Sequence, residues 1–220
     1  VNGLKSSKLV AVADPSATLR DGLAQQMESL ATYDDYEDML KKEELDAVVI
    51  ASPTFLHTPM VKSCLDHKLP FLVEKPLGAF AKDTIALVDS YKSDPIVHTI
   101  GYMGRQIETF CHAKKILDLN PLGKIHHIKG TMYVSQLFKS GKGWRYDKNK
   151  SGGGVLITQN SHIIDLLQWY FGSFASVNGH TKTFYAGTVE DFAHAHFTFE
   201  NGASGFIDTS WSTRHHRMVD

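Results

Sequence analysis

The 220 residues contain just two cysteines, Cys64 and Cys111, and neither sits in a CxxC pair. That excludes a disulfide-stapled scaffold and a cysteine-rich zinc module; two reduced thiols are expected. No apolar run approaches the roughly 18 residues that mark a bilayer-spanning helix, and the longest, 45–53, is already broken by Asp46. Charge of one sign is wanting too. The net charge of −1 gives no global attraction to nucleic acid or to an anionic membrane, so neither is expected as a partner. From Val1 onward there is no basic, apolar and small-residue leader, and a cytoplasmic location is expected. Internal repeats and low-complexity tracts are absent as well.

Histidine is plentiful, with twelve in the chain, which raises the question of a metal. His194 and His196 share one strand face, and His126–His127 and His215–His216 are adjacent pairs. None shows the HExxH or CxxC…HxxxH spacing of a tetrahedral site, so no metal is expected.

Over the first hundred residues, short apolar runs alternate with helical periodicity. Strands are predicted at 8–13, 46–51, 71–73 and 96–100, and helices at 17–30, 33–43, 57–67 and 82–91. Near-continuous apolar strands separated by helices indicate a parallel sheet covered on both faces, a doubly wound α/β fold of Rossmann type. Beyond Gly101 the pattern changes. A helix at 106–119 and a long strand at 125–136 precede a Gly-, Lys- and Asn-rich loop at 140–151. An apolar helix then runs from 154 to 171. Strands follow at 177–185, 191–199 and 203–211, the last two joined by the hairpin signal Glu200-Asn201-Gly202. Strands in succession suggest an α+β unit with a largely antiparallel, open-faced sheet. The expected division is 1–103 for dinucleotide binding and 104–220 for substrate and oligomerisation.

One further absence matters. A dinucleotide-binding unit normally opens with a strand and a GxGxxG turn. No such turn occurs here, and the first strand already ends in Asp14, an acid that the second strand of such a fold carries. The first strand, glycine loop and first helix are expected to be missing, and the second sheet to be incomplete at Asp220.

Asp14 could accept both hydroxyls of an adenosine ribose and would repel a 2′-phosphate. NAD is therefore favoured over NADP; the plain alternative is an Asp-Pro turn opening a helix. Ser52-Pro53-Thr54, with His57 after it, follows the next strand and should face the cofactor, since ligands of open α/β sheets bind at strand carboxyl ends. For His57 a helix-start residue without chemistry is the plainer reading. Glu74-Lys75-Pro76 directly follows the strand 71–73, which delivers Lys75 to the same crevice. Burial and a positive nicotinamide would both lower the lysine's pKa, tuning it to take a proton from a substrate hydroxyl. Pro76 restricts Lys75 to extended geometry and is a candidate for a cis bond.

Gly152-Gly153-Gly154 precedes the apolar helix, where three glycines would let a ligand approach the helix N-terminus. On that helix Thr158, His162 and Asp165 form one polar stripe at i, i+4 and i+7. The alternative is a core histidine satisfied by Asp165.

Together the strand-end Asp14, the SPTFLH loop, Glu74-Lys75-Pro76-Leu77, Gly101-Tyr102-Met103 and GGGVLITQNSHIIDLLQWYFG (152–172) resemble the Gfo/Idh/MocA oxidoreductase family. The resemblance covers about residues 8 to 211. It implies a Rossmann domain followed by an open-faced sheet domain, with substrate between sheet and nicotinamide. It also implies an NAD(P)-dependent dehydrogenase acting on a sugar, cyclitol or nucleotide-sugar hydroxyl. Lys75 would be the catalytic lysine and His162 the active-site histidine, with Tyr102, Thr158 and Asn160 lining the substrate. Glu74 would join the cofactor side. The resemblance further implies a homo-oligomer through the second sheet. The family often has an aspartate where this chain has Thr158, which could alter substrate choice or weaken catalysis; the 152–172 wording leans toward oxidisers of nucleotide-linked amino sugars. Two other classes fit the same resemblance, a glycosidase that uses NAD transiently and a non-catalytic cofactor-binding regulator.

Overall fold

The computed structural model describes residues 6–92 and 96–213 and the backbone of 218–219. The pair His215–His216 and the extreme ends of the two expected domains lie outside the described residues.

In the first half, three-residue strands alternate with helices. β1 (Ala11–Ala13) leads to α1 (Ala17–Gln26), β2 (Ala31–Tyr33) to α2 (Tyr36–Lys42), β3 (Val48–Ile50) to α3 (His57–Asp66), and β4 (Phe71–Val73) to α4 (Ala81–Tyr91) and then β5 (His98–Ile100). Every pairing is parallel, but the strands fall into two pieces, β1–β2 and β3–β4–β5. Among the described residues the outer edges of β1 and β3 have no strand partner. Val48 of β3 nevertheless packs into the same apolar cluster as Ala11 of β1, so the pieces share a core. The central strand β4 is the most deeply set, with Val73 fully buried and Phe71 nearly so, packed on Val61, Cys64 and Leu87 from α3 and α4. Burial also pushes the Cys64 thiol up to about 11, and both cysteines are free.

The second half begins with α5 (Glu108–Asp118) and β6 (His127–Tyr133). Within the predicted loop lies the single helical turn α6 (Lys148–Ser151), stopped by Gly152 in left-handed geometry (φ 79°). A π-helical turn (Leu156–Asn160) then runs into α7 (Ser161–Phe171). β7 (Phe174–Lys182), β8 (Phe192–Phe199), β9 (Ser204–Ser210) and the short β10 (Met218–Val219) complete a sheet of order β10-β6-β9-β8-β7. All its pairings are antiparallel except β6 with β9, which is parallel. The sheet is thus mixed, because β6 precedes α7 and returns to β9 by a long crossover. Gly202 turns the β8–β9 hairpin at φ 87°, as its Asn-Gly signal predicts.

One face of the sheet buries Ile128, Met132, Phe197, Phe199 and Ile207 against Ile163 and Leu167 of α7. The other face is open, and His127, Lys129, His180 and His196 on it are exposed. No described helix is long and apolar enough to cross a membrane.

Candidate functional site

The site is built where the loops after β3, β4 and β5 meet the start of α7. Backbone pairing sets the platform, since Glu74 N–H donates to Ile50 O at 2.9 Å and Gly101 N–H to Val73 O at 2.8 Å. These bonds put the residues after three neighbouring strands side by side at their carboxyl ends, where open α/β sheets bind ligands. The Lys75–Pro76 bond is cis.

Lys75 reaches across to the second half of the chain, where its Nζ donates to the main-chain carbonyl of Thr158. Its pKa is lowered by burial, against an opposing pull from Glu74 and with a lesser push from the Arg145 guanidinium. His162 sits one turn further along the same helix. Burial, and next the positive charge of Lys75, lower its pKa, so the two groups sense each other electrostatically. Both rings of a Tyr102–His162 pair are half-buried and meet edge to face, 6.3 Å between centroids. Among the described residues no hydrogen bond occupies either nitrogen of His162. An ammonium with a weakened hold on its proton therefore stands beside a neutral, unoccupied imidazole. That arrangement can exchange a proton with a hydroxyl placed between them.

Other sequence expectations fare differently. Asp165 is not the partner of His162; it forms a two-pronged ion pair with Arg105, at 2.9 and 2.7 Å, from the loop after β5. Thr158 turns its hydroxyl back to donate to Gly154 O at 2.7 Å, so its contribution to Lys75 comes from the backbone. Asn160 is completely buried and its amide has no hydrogen-bond partner among the described residues.

His57 is also turned inward. It is 1% exposed, with Nδ1 2.7 Å from Pro76 O and Nε2 2.9 Å from Ser52 O. Both nitrogens face main-chain carbonyls and the ring is enclosed, which favours the plainer reading of a helix-start residue without chemistry. Its place is a brace between the loops after β3 and β4.

The three glycines also serve a purpose other than ligand approach. A Cβ on Gly152 would lie 2.0 Å from Ala79 O, and one on Gly154 would lie 1.8 Å from Glu190 O. The space is filled by the protein's own backbone. The helix start is capped as well, because Glu190 Oε1 accepts from Gly154 N (2.8 Å) and Leu156 N (3.1 Å). Glu190 was not visible as a site residue in sequence; its only signal is an acid just before a buried strand. Beside it, Asp191 is fully buried and accepts from the backbone of Phe184, Tyr185 and Ala186.

On the cofactor side, Asp14 ends β1 half-buried. Its Oδ1 accepts from Ser16 N at 2.7 Å, so the Asp-Pro turn forms and still leaves one carboxylate oxygen for another donor. Arg20 folds back onto Asp14 O at 2.6 Å, which brings a guanidinium to the strand end that no immediate neighbour in sequence supplies. Ser52 carries a buried hydroxyl with no hydrogen-bond partner among the described residues, at the strand exit beside half-buried Pro53 and buried Thr54. An orphaned hydroxyl there and a part-free carboxylate at the neighbouring strand end suit a dinucleotide's polar groups. Among the described residues no three His, Cys, Asp or Glu side chains cluster as a metal site.

Two family models match the chain. "Oxidoreductase family, NAD-binding Rossmann fold" covers residues 1–102, and "GFO/IDH/MocA C-terminal domain" covers 110–219. Scyllo-inositol 2-dehydrogenase (NAD(+)) from Bacillus subtilis is 25% identical over 96% of this chain and 61% of its own length. Levoglucosan dehydrogenase from Pseudarthrobacter phenanthrenivorans is 26% identical over 80% of the chain and 45% of its own. A solved levoglucosan dehydrogenase in complex with NADH and levoglucosan superposes with a TM-score of 0.87 at 23% identity. That match covers 96% of this chain and 60% of the other. The chain thus spans about three fifths or less of the length of these relatives.

Proposed function

The chain belongs to the Gfo/Idh/MocA oxidoreductase family, and from that premise we propose that it serves an NAD-dependent dehydrogenase acting on a sugar, cyclitol or nucleotide-sugar hydroxyl. The observation that carries the reading is the meeting of the Lys75 ammonium with the start of the His162 helix. In this proposal residues 1–103 hold the dinucleotide and 104–220 the substrate, and the relatives' printed names supply its sugar and cyclitol classes.

Asp14, Ser52, Pro53 and Thr54 would hold the cofactor, with Glu74 and Lys75 at its reactive end; a bound nicotinamide supplies hydride acceptance. Once its ammonium has given up a proton, the neutral Lys75 amine takes the hydroxyl proton; burial makes that ammonium readier to lose one than a free lysine's. His162, neutral and unoccupied, accepts a hydrogen bond from the same or an adjacent hydroxyl and orients it. Tyr102 flanks His162 and limits the ring's rotation. Thr158 fixes Lys75 through its carbonyl; no carboxylate is needed for that hold.

A screen of NAD reduction by the natural protein against sugars, inositols and nucleotide sugars tests the reading, and silence across all three classes would sink it. Lys75→Ala should lower kcat by at least about a hundredfold, as loss of a general acid/base does. We further propose that the open face of the five-stranded sheet pairs subunits, since Phe206, His194 and His196 present a half-apolar surface there. Phe206→Glu should then shift the sedimentation coefficient toward a smaller species.

A further inference from the structure

On α7, His162, Asp165, Leu166 and Trp169 fall at i, i+3, i+4 and i+7, one stripe of the helix. The loop after β5 lies along that stripe for about two turns. Tyr102 meets His162 edge to face, 6.3 Å between centroids. Gly104 is buried, and a Cβ there would lie 3.2 Å from Leu166 Cδ2, so the loop backbone comes close to the helix at this point. Arg105 donates twice to Asp165, from Nε to Oδ2 at 2.9 Å and from Nη2 to Oδ1 at 2.7 Å. Its guanidinium also lies 5.9 Å from the centroid of the Trp169 ring. Within the loop, Arg105 N–H donates to Tyr102 O at 3.2 Å, which ties the two residues into one turn.

An imidazole in general acid/base work is ordinarily aimed by a carboxylate or carbonyl bonded to one of its nitrogens. His162 has no such hold among the described residues. Asp165, the acid one turn away on the same stripe, has both oxygens on Arg105. The edge of Tyr102 is therefore left to restrain the ring. Tyr102 stands three residues before Arg105, as His162 stands three before Asp165, so the ion pair closes a circuit of contacts one turn from the imidazole. A planar guanidinium held by both prongs fixes distance and angle together, which a lysine at the same place cannot do. Asp165 is only 12% exposed, which leaves little room for water to replace the guanidinium.

We infer that Arg105 and Asp165 are positioning residues: their ion pair clamps the loop after β5 to α7 and, through Tyr102, holds the His162 imidazole toward the substrate hydroxyl. This rests on the roles proposed above for Lys75 and His162, and adds to them the pair that keeps the histidine aimed.

The test is a double-mutant cycle in the natural protein, with glucose, myo-inositol and UDP-N-acetylglucosamine as probes. Arg105→Gln should lower kcat by about tenfold to a hundredfold, the scale of a misplaced reacting group. In a His162→Ala background the same substitution should lower it by less than about twofold, because its effect passes through the imidazole. Equal losses in both backgrounds would mark the pair as merely structural and overturn the inference. Arg105→Lys should recover the loss only in part, and Tyr102→Ala should reproduce it with the ion pair intact. A readout independent of turnover is the spectrum of the protein labelled with 15N in its histidine rings, with His162 assigned by the signal lost in His162→Ala. One tautomer is expected in the natural protein, and an average of two in both Arg105→Gln and Tyr102→Ala. A His162 signal unchanged in both variants would overturn the inference, whatever the rates do. Where no probe is turned over, this spectrum alone decides. A changed imidazole signal, with turnover indifferent to His162→Ala, would uphold the clamp and sink the Lys75–His162 reading.

Discussion

Lys75 shows how a residue's burial is set against its chemistry. Its ammonium is partly desolvated, so its pKa in the folded chain lies below the ordinary value of 10.5 that the unfolded chain retains. Between those two values the unfolded state binds more protons, so stability rises with pH through that window and the deficit is complete below it. Lys75→Met should therefore be more thermally stable than the parent at neutral pH, with the gain shrinking as pH climbs toward 10.5, while turnover is lost. A melting series in pH checks both arms, and a gain that grows with pH would contradict the assignment. His57 gives the opposite result. Removing a buried ring that spans two carbonyls leaves a cavity and unpaired acceptors, and His57→Ala should cost about 3 kcal/mol in urea unfolding. At this scale much was legible. Lys75 and His162 could be proposed because strand ends and a polar stripe on an apolar helix are visible as patterns. The roles of Thr158 and His57 were not, since which atom of a residue makes the bond depends on how the side chain folds back on its own backbone.

At the scale of elements, apolar runs located most strands and helices to within a few residues, and Phe71–Val73 was located to the residue. β2 was missed because Ala31–Tyr33 is short, exposed at its centre and lacks an apolar run. The parallel β6–β9 pairing was missed because strand succession says nothing about which strands become neighbours across a helical crossover. The glycine triplet was read as close approach of a ligand, and the approach seen at Gly152 and Gly154 is that of the protein's own backbone. That difference predicts a contrast. Gly154→Ala drives a Cβ to 1.8 Å from a carbonyl and should cost about 4 kcal/mol or prevent folding. Gly123→Ala, left-handed at φ 68° but with nothing within 4 Å, should cost about 1 kcal/mol. Glu190→Ala should lie between them at about 1–2 kcal/mol, the value of a charged helix cap. Chemical denaturation of the three variants orders them, and equal losses would remove steric contact as the reason for the triplet.

For the whole molecule, the break in the parallel strands has consequences for binding. β1 pairs only with β2 and β3 only with β4 among the described residues, although Ala11 and Val48 share one apolar cluster. In a doubly wound sheet a pyrophosphate is gripped by the glycine turn and helix N-terminus that follow the strand at the point where strand order reverses. The 220 residues carry Asp14, proposed as the ribose acid, and the loops after β3 and β4, but no GxGxxG turn. On the proposed reading a dianionic pyrophosphate would find little of that grip here, while the proposed contacts at the nicotinamide end would still be offered. This polypeptide alone should bind NAD more weakly than about 1 mM, under about 4 kcal/mol. A variant library cannot test this as directly as calorimetry on the polypeptide itself. Micromolar binding would mean that the strand-end loops suffice and that the glycine turn adds little. Millimolar or undetectable binding, with the fold intact by circular dichroism, would uphold the expectation.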